Sequence, residues 1–226
     1  MARTLRRIFG DSFESGDISA WSDNDNNPTV STASRLIGSY GMEATLPGNS
    51  SVRRDNIGAK SHLWIRFYVN PNGASMGAGS GTRLIVARDN GFGYSLVIAM
   101  EGKANGNYEI YTDSEIDGGG GSGTLHYEIA AGEKHFVEVE WQAATAVGAN
   151  NGFVSLYIDG VFKETRASID NDTRTIDRCD LGTRDSYGPA SSGTIFLDEI
   201  SIDDSSLATG RTLATGRTLA TGRTLA

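Results

Sequence analysis

The sequence predicts an all-β protein, a two-sheet antiparallel sandwich of jelly-roll type with extended terminal arms. Apolar and polar residues alternate over at least seven short segments, as they do in strands that bury one face. The 226 residues include 29 glycines and four prolines, a composition typical of many turns. No stretch of 12 residues has the periodicity of an amphipathic helix, which disfavours the mixed fold classes.

The strand signal is clearest in segment 63–69, where an apolar residue occupies every second position and aromatic or charged residues lie between. Six further segments alternate in the same way: 93–100, 107–112, 124–129, 136–141, 153–158 and 194–202. Their number favours one large domain over residues 8–204. A basic N-terminal arm, 1–7, precedes it, and a C-terminal tail, 205–226, follows.

The tail repeats the hexapeptide ATGRTL three times from Ala208. A period of six keeps each side chain on one face of an extended strand in every repeat. The repeat is compatible with a strand that adds to a neighbouring sheet, and equally with a passive low-complexity tail. On the first interpretation, the predicted assembly residues are Arg3, Arg6, Arg7, Arg211, Leu213, Arg217, Leu219, Arg223 and Leu225.

Charge and hydropathy exclude several classes of protein. All 28 acidic residues lie between Asp11 and Asp204, whereas six of the 20 basic residues lie outside that span, so the body carries −14 and the ends +6. An acidic body argues against a nucleic-acid-binding surface. No apolar run is long enough for a membrane helix, and no secretion signal follows the basic start. The single cysteine, Cys179, is expected to be a small buried side chain.

Four segments occur in an order that identifies a resemblance: the opening FGDSFESGDISAW (9–21), GMEA (41–44), the strand 136–141 followed by VSLYIDG (154–160), and the closing IFLDEISI (195–202). Together they resemble the concanavalin A-like lectin and glucanase superfamily, particularly laminin G-like bacterial and phage modules. The resemblance covers about residues 8–204. It implies that the opening and closing segments pair as neighbouring strands.

That pairing would bring Asp11, Glu14 and Asp198 within reach of one another. Converging carboxylates repel unless a hard cation lies among them, and Ca²⁺ accepts six to eight oxygen ligands. The resemblance therefore implies a structural Ca²⁺ at this seam. The alternative is that Asp11 and Glu14 are solvated turn residues and that Asp198 pairs with an arginine.

Because the superfamily includes glycoside hydrolases, the resemblance also raises a catalytic function. Glu138 and Glu140 share one face of a strand about 7 Å apart, within the range that sugar hydrolysis uses. The chain lacks the Glu-x-Asp-x-x-Glu pattern of the glucanase branch, however, and alternating glutamates usually mark a solvated face. His62, His126 and His135 show no metal-ligand spacing. We therefore predict that the chain is not an enzyme.

Aromatic side chains favour a binding function instead. Trp64, Arg66, Tyr68 and Tyr157 are predicted to face outward and to form a carbohydrate platform, because aromatic rings pack against the C–H faces of sugars. The alternative is a buried second layer or an oligomer interface.

The predicted function is a non-catalytic structural, decoration or fibre protein of a virion-like or extracellular assembly, with glycan affinity. Its expected partners are copies of itself, other structural proteins and surface polysaccharide, with no nucleic acid and no membrane. A carbohydrate-active enzyme, or its carbohydrate-binding module, is the alternative.

Overall fold

The computed structural model describes residues 5–91, 93–188 and 191–204. The regular secondary structure in this part of the chain consists of β-strands, paired into two antiparallel sheets. Among the described residues, no helix is long and apolar enough to span a membrane. The predicted all-β sandwich is therefore confirmed.

Sheet 1 contains nine strands, which are, in spatial order, β14 (Val161–Ile169), β13 (Gly152–Ile158), β12 (His135–Gln142), β6 (His62–Asn70), β16 (Ser191–Asp204), β4 (Gly41–Leu46) and β3 (Thr29–Ser31), with β1 (Arg6–Asp11) and β7 (Ser75–Met76) also paired to β16. Sheet 2 contains seven strands, in the order β11 (Leu125–Ile129), β10 (Tyr108–Ser114), β9 (Tyr94–Gly102), β8 (Gly81–Arg88), β15 (Arg178–Tyr187), β5 (Ser50–Arg54) and β2 (Asp23–Asp25).

The core lies between the two sheets and follows the alternation seen in the sequence. On β6, the four apolar residues of segment 63–69 are fully buried, and Trp64 and Tyr68 between them lie on the opposite face of the strand. Sheet 2 contributes fully buried side chains in the same way, among them Ile98 on β9 and Ile110 on β10. Cys179 is buried and free, as expected.

The expected pairing of the opening and closing segments is confirmed, because β1 runs antiparallel to β16. Arg6 donates to Asp204 (Nη2–Oδ2 3.2 Å), and Arg7 Nε lies 3.8 Å from Asp203 Oδ1. These two arginines therefore belong to a strand and have acidic partners within the same chain, which corrects their assignment to a free arm. The remaining predicted assembly residues lie outside the described residues; they are Arg3, Arg211, Leu213, Arg217, Leu219, Arg223 and Leu225. Assembly through them stays a prediction.

Burial of one face of each sheet leaves two outer faces. We call the outer face of sheet 1 face 1 and the outer face of sheet 2 face 2. The first and last strands of the described residues, β1 and β16, pair in sheet 1, and every strand of face 2 lies between them in the sequence.

Trp141 on β12 connects the two sheets and offers a test of the core. It is fully buried, and its indole Nε1 donates to Ser114 Oγ on β10 at 2.9 Å. We expect Trp141→Ala to lower the free energy of unfolding by about 3–5 kcal/mol, because it leaves a large cavity. Urea denaturation measures the change.

Val147→Ala is the control for that substitution, since Val147 is 89% exposed. It should change the free energy of unfolding by no more than about 0.5 kcal/mol. A Trp141→Ala protein as stable as this control would contradict the described core.

Candidate functional site

A row of polar side chains, interrupted by one alanine, crosses face 2 from strand to strand. The backbone register places His126 opposite Tyr111, Tyr111 opposite Ala99, Ala99 opposite Arg83, and Arg83 opposite Arg184. Neighbouring strands are about 4.8 Å apart, so the row spans about 19 Å across five strands. Ala99 is fully buried, so a linear polymer lying across the strands would meet the polar groups on either side of it.

At the centre of face 2, three functional groups meet. Asp185 Oδ2 accepts hydrogen bonds from Arg83 Nη1 (2.5 Å) and from the Tyr94 hydroxyl (3.3 Å). The Tyr94 oxygen lies 3.5 Å from Arg83 Nη1. The guanidinium groups of Arg83 and Arg88 lie 5.2 Å and 4.3 Å from the centre of the Tyr94 ring. The Tyr94 phenol thus lies between the carboxylate of Asp185 and the guanidinium groups of Arg83 and Arg88. We call Arg83, Tyr94 and Asp185 together the Arg83–Tyr94–Asp185 group.

The backbone of β15 positions Asp185 for this contact. The register between β15 and β8 shifts on both sides of Arg184, and Asp185 itself has a φ of 45°, in the left-handed region. The side chain of Asn49 accepts a hydrogen bond from the Asp185 amide at 2.8 Å. Bulges of this kind redirect side chains, and a non-glycine residue held at positive φ is common at functional sites.

Next to this group, arginines surround one buried carboxylate. Asp180 is fully buried, and its oxygens lie 3.6 Å from Arg88 Nε, 3.8 Å from Arg178 Nε and 3.8 Å from Arg184 Nη1. Burial raises the pKa of Asp180, and the neighbouring arginines, Arg53 among them, offset this only in part. The shared carboxylate holds the guanidinium groups side by side. A cavity of about 300 Å³ lies beside them and is lined by Arg53, Asp55, Asn56, Asp89, Asn90, Asp177 and Arg178.

On the other side of Arg83, two tyrosines share a hydrogen bond. The hydroxyls of Tyr111 and Tyr187 are 3.0 Å apart, and Tyr187 also donates to Glu101 Oε2 at 3.2 Å. Burial, together with the neighbouring Tyr111 and Glu101, raises the pKa of Tyr187 well above its usual range. The His126 ring lies 5.6 Å from the Tyr111 ring. Tyr187 therefore remains protonated at any ordinary working pH.

Sequence reasoning missed face 2, although a signal was present. Arginines occur inside β8 at Arg83 and inside β15 at Arg184, and two more stand at strand ends, Arg88 and Arg178. A charged residue inside a strand that buries one face is expected on the other face. The register that brings β8 beside β15, 90 residues later, was not readable from the sequence.

The predicted carbohydrate platform lies on face 1, and the structure brings part of it together. The rings of Trp64 and Tyr157 are 5.4 Å apart, whereas Tyr68 contacts Phe136 at 4.8 Å. Arg66 is only 4% exposed and pairs with Asp203. Because its guanidinium is buried in that ion pair, the direct sugar contact expected of Arg66 is not supported, and the rest of the platform stays a prediction.

The predicted metal ligands are not brought together. Each accepts hydrogen bonds close by: Asp11 from Phe13 N and Trp21 Nε1, Glu14 from Ser39 N and Tyr40 N, and Asp198 from Leu36 N and Ile37 N. In the described part of the chain, the one group of three acidic side chains with oxygens within 4.8 Å of one another is Asp117, Asp170 and Asp172. A structural calcium stays a prediction, without the ligand set proposed for it.

Glu138 and Glu140, the candidate catalytic pair, also lie on face 1. Glu140 is hydrogen-bonded to His62 Nε2 at 2.8 Å. Glu138 is half-buried beside Arg66, and burial raises its pKa. Their surroundings fit paired side chains on a strand rather than a hydrolytic site.

No protein-family model matches the sequence, and a search of curated proteins returned no match. The fold, in contrast, is shared with solved structures. An endo-β-1,4-glucuronan lyase from the fungus Trichoderma reesei is 13% identical, with a TM-score of 0.59 over 87% of this chain and 94% of that one. An alginate lyase from Alteromonas sp. 272 is 9% identical, with a TM-score of 0.50 over 79% and 94%.

A second kind of structure with this fold is the receptor-binding domain of botulinum neurotoxin mosaic serotype C/D. It is 12% identical, with a TM-score of 0.61 over 90% of this chain and 48% of that one. The chain thus spans about half the length of the toxin domain. At these identities the likeness shows a common sandwich fold.

These findings correct the prediction that the chain is not an enzyme. That prediction depended on a missing glucanase motif and on alternating glutamates that usually mark a solvated face, whereas the structures that share the fold include polysaccharide lyases. The comparisons give no support to a phage origin or to a structural role in a virion.

The buried Asp198 predicts a pH dependence of stability. Burial raises its pKa to about 6, although backbone N–H groups of Leu36, Ile37 and Glu199 lower it. The folded state therefore binds this proton more tightly than the unfolded chain, so ionisation of Asp198 reduces stability as the pH rises from about 4 to about 6. Asp198→Asn should remove a fall of about 1–3 kcal/mol in the free energy of unfolding between pH 4 and pH 7.

Urea denaturation at several pH values measures this slope, with Glu133→Gln at an exposed turn as the control. The comparison uses the change in the free energy of unfolding with pH rather than its absolute value. Asparagine has one acceptor oxygen fewer than the carboxylate for the backbone N–H groups, so Asp198→Asn also changes the absolute value. Parallel stability curves for wild type and Asp198→Asn would contradict the raised pKa.

The calcium prediction has its own test. If a Ca²⁺ ion binds only the folded state, EDTA lowers the melting temperature and added Ca²⁺ restores it by mass action. Identical melting curves in EDTA and in excess Ca²⁺ would remove the predicted structural ion.

Proposed function

We propose that the protein binds an acidic, uronic-acid-containing polysaccharide on face 2 and cleaves it by β-elimination. The Arg83–Tyr94–Asp185 group carries this proposal, because it brings a carboxylate-binding cation, a proton-transferring phenol and a proton acceptor within 3.5 Å of one another. The fold shared with two polysaccharide lyases supports the same class of reaction.

Elimination from a uronic acid unit requires removal of the C5 proton. The adjacent carboxylate makes that proton only weakly acidic, and a cation on the carboxylate stabilises the charge that develops in the transition state. Arginine suits this task, since its planar guanidinium donates two parallel hydrogen bonds to a carboxylate. Arg83 lies at the centre of face 2 and is about one-third exposed.

Tyr94 would transfer the proton. Its hydroxyl proton passes to Asp185, and the resulting phenolate takes the proton from C5 as the C4–C5 double bond forms. The bond between C4 and its oxygen breaks, and Tyr94 gives the proton to that departing oxygen. Asp185 then returns its proton to Tyr94. The products are an unsaturated uronate end and a free hydroxyl end, and the enzyme regains its starting state.

The remaining groups of face 2 would bind neighbouring sugar units. Arg88, Arg178 and Arg184 surround Asp180 beside the reacting group, and their positive charge would favour further carboxylates of the polymer nearby. On the other side, the protonated Tyr187 and its neighbour Tyr111 offer hydroxyls to hydroxylated sugars. The row extends about 19 Å across the strands, so it suits binding of several consecutive sugar units within a polysaccharide chain rather than of a single sugar unit.

The activity test uses polyglucuronate and alginate as substrates and follows the ultraviolet absorbance of the unsaturated product. Tyr94→Phe should lower kcat by about 10²–10⁴, the usual contribution of a proton-transferring side chain, while binding of the polymer is kept. Arg83→Ala should weaken both binding and turnover, and Arg83→Lys should restore binding only in part.

Tyr127→Phe is the matched control, because Tyr127 lies on β11 outside the reacting group. It should retain wild-type activity. A wild-type protein that forms no unsaturated product from either polymer, or a Tyr94→Phe variant with undiminished turnover, would refute the proposed reaction.

A further inference from the structure

Face 1 carries a chain of three aromatic rings that the proposed function does not use. The ring centres of Trp64 and Tyr157 are 5.4 Å apart, and those of Tyr157 and Phe162 are also 5.4 Å apart. The rings come from β6, β13 and β14, so they form a continuous strip along one side of sheet 1. Phe162, at the end of this strip, is 54% exposed.

Hydrogen-bonding groups lie beside this strip on β12, which runs between β6 and β13. Glu138 stands opposite Tyr157, and Glu140 stands opposite Trp64. Glu140 is held by His62, and Arg66 is held by Asp203. The aromatic strip is therefore bordered by carboxyl groups, while the nearest guanidinium is already occupied within the protein.

We propose that face 1 is a second carbohydrate site, specific for an uncharged oligosaccharide. The C–H faces of sugar rings would pack on Trp64, Tyr157 and Phe162, and sugar hydroxyls would donate to the half-buried Glu138, whereas Glu140 is 6% exposed and bound to His62. This site is independent of the proposed cleavage on face 2, and it differs from face 2 in the charge that it accepts.

The negative charge beside the aromatic strip disfavours an acidic ligand on face 1. A uronate placed on the aromatic strip would approach Glu138, and like charges at an interface cost several kcal/mol. The Arg66 guanidinium lowers the pKa of Glu138 against the larger effect of burial, but it is 4% exposed and paired with Asp203, so it offers no direct contact to a uronate. Uncharged hydroxyl groups meet no such penalty and supply the donors that carboxylates need.

The same carboxyl groups disfavour a second copy of this chain as the occupant. A two-fold interface places the same patch of both copies together, so Glu138 would come close to the Glu138 of the other copy. Burying these two like charges together carries a desolvation cost. An oligosaccharide covers the rings without bringing another carboxylate.

The test measures binding of cellohexaose and laminarihexaose, two uncharged hexasaccharides, by isothermal titration calorimetry with the full chain. We expect the wild type to bind at least one of them saturably. Phe162→Ala and Tyr157→Ala should each weaken that binding at least tenfold, and Glu138→Gln should weaken it several-fold. Phe162 is exposed, so its substitution should leave the melting temperature unchanged.

Two controls separate this site from the proposed active site. Val147→Ala, at another exposed apolar residue, should leave binding of the uncharged hexasaccharide unchanged. Arg83→Ala should also leave it unchanged while weakening the binding of polyglucuronate. A loss of uncharged-sugar binding in Arg83→Ala would overturn the assignment to face 1.

Two further outcomes would overturn the proposal. One is the absence of saturable binding of either hexasaccharide by the wild type. The other is a concentration-dependent dimer, seen by analytical ultracentrifugation, that Phe162→Ala dissociates, since this would assign the rings to a contact between copies.

Discussion

The burial of one face of each sheet is the constraint on which the rest of the molecule depends. Sheet 1 and sheet 2 enclose a single apolar core, and Trp141 joins them through its hydrogen bond to Ser114. Polar chemistry is thereby confined to the outer faces and the loops. The alternation within each strand decides which side chains reach those faces, so the functional surfaces follow directly from the packing of the core.

The two outer faces differ in the chemistry that they offer. Face 2 holds several arginines against one fully buried carboxylate, Asp180, and places a phenol between a guanidinium and the carboxylate of Asp185. Face 1 combines aromatic rings with carboxyl groups whose neighbouring cations are occupied. The two sides of one sandwich therefore differ in the charged and aromatic groups that they carry, without any change to the core.

Backbone irregularity gives face 2 its geometry. Asp185 reaches Arg83 and Tyr94 because β15 shifts register on both sides of Arg184, and Asn49 holds the Asp185 amide in place. A regular strand would turn the side chain elsewhere, since the orientation of side chains alternates strictly with position. The strain of a positive φ at Asp185 is thus tied to the contact that defines the site.

Alternation in the sequence predicted seven strand segments and the sandwich, whereas the pairing of the opening and closing segments followed from the resemblance. The predicted segments did not include β8 and β15, which carry Arg83 and Asp185. In segment 63–69 the alternation alone separated buried Leu63 and Ile65 from outward-facing Trp64. The site depended instead on contacts between residues far apart in the chain. Arg83 meets Asp185 across 102 positions, and Arg66 meets Asp203 across 137. Composition and spacing do not encode which strands become neighbours, so Arg66 was assigned to sugar binding and Tyr94 was overlooked.

A crystal structure of the Tyr94→Phe variant with tetraglucuronate would test the central claim most directly, because this substitution should permit binding and prevent cleavage. The account predicts that the sugar chain lies across the strands of face 2, with one carboxylate in hydrogen-bond contact with Arg83 and the adjacent C5 facing residue 94. A tetrasaccharide bound on face 1, or bound without contact to Arg83, would contradict it.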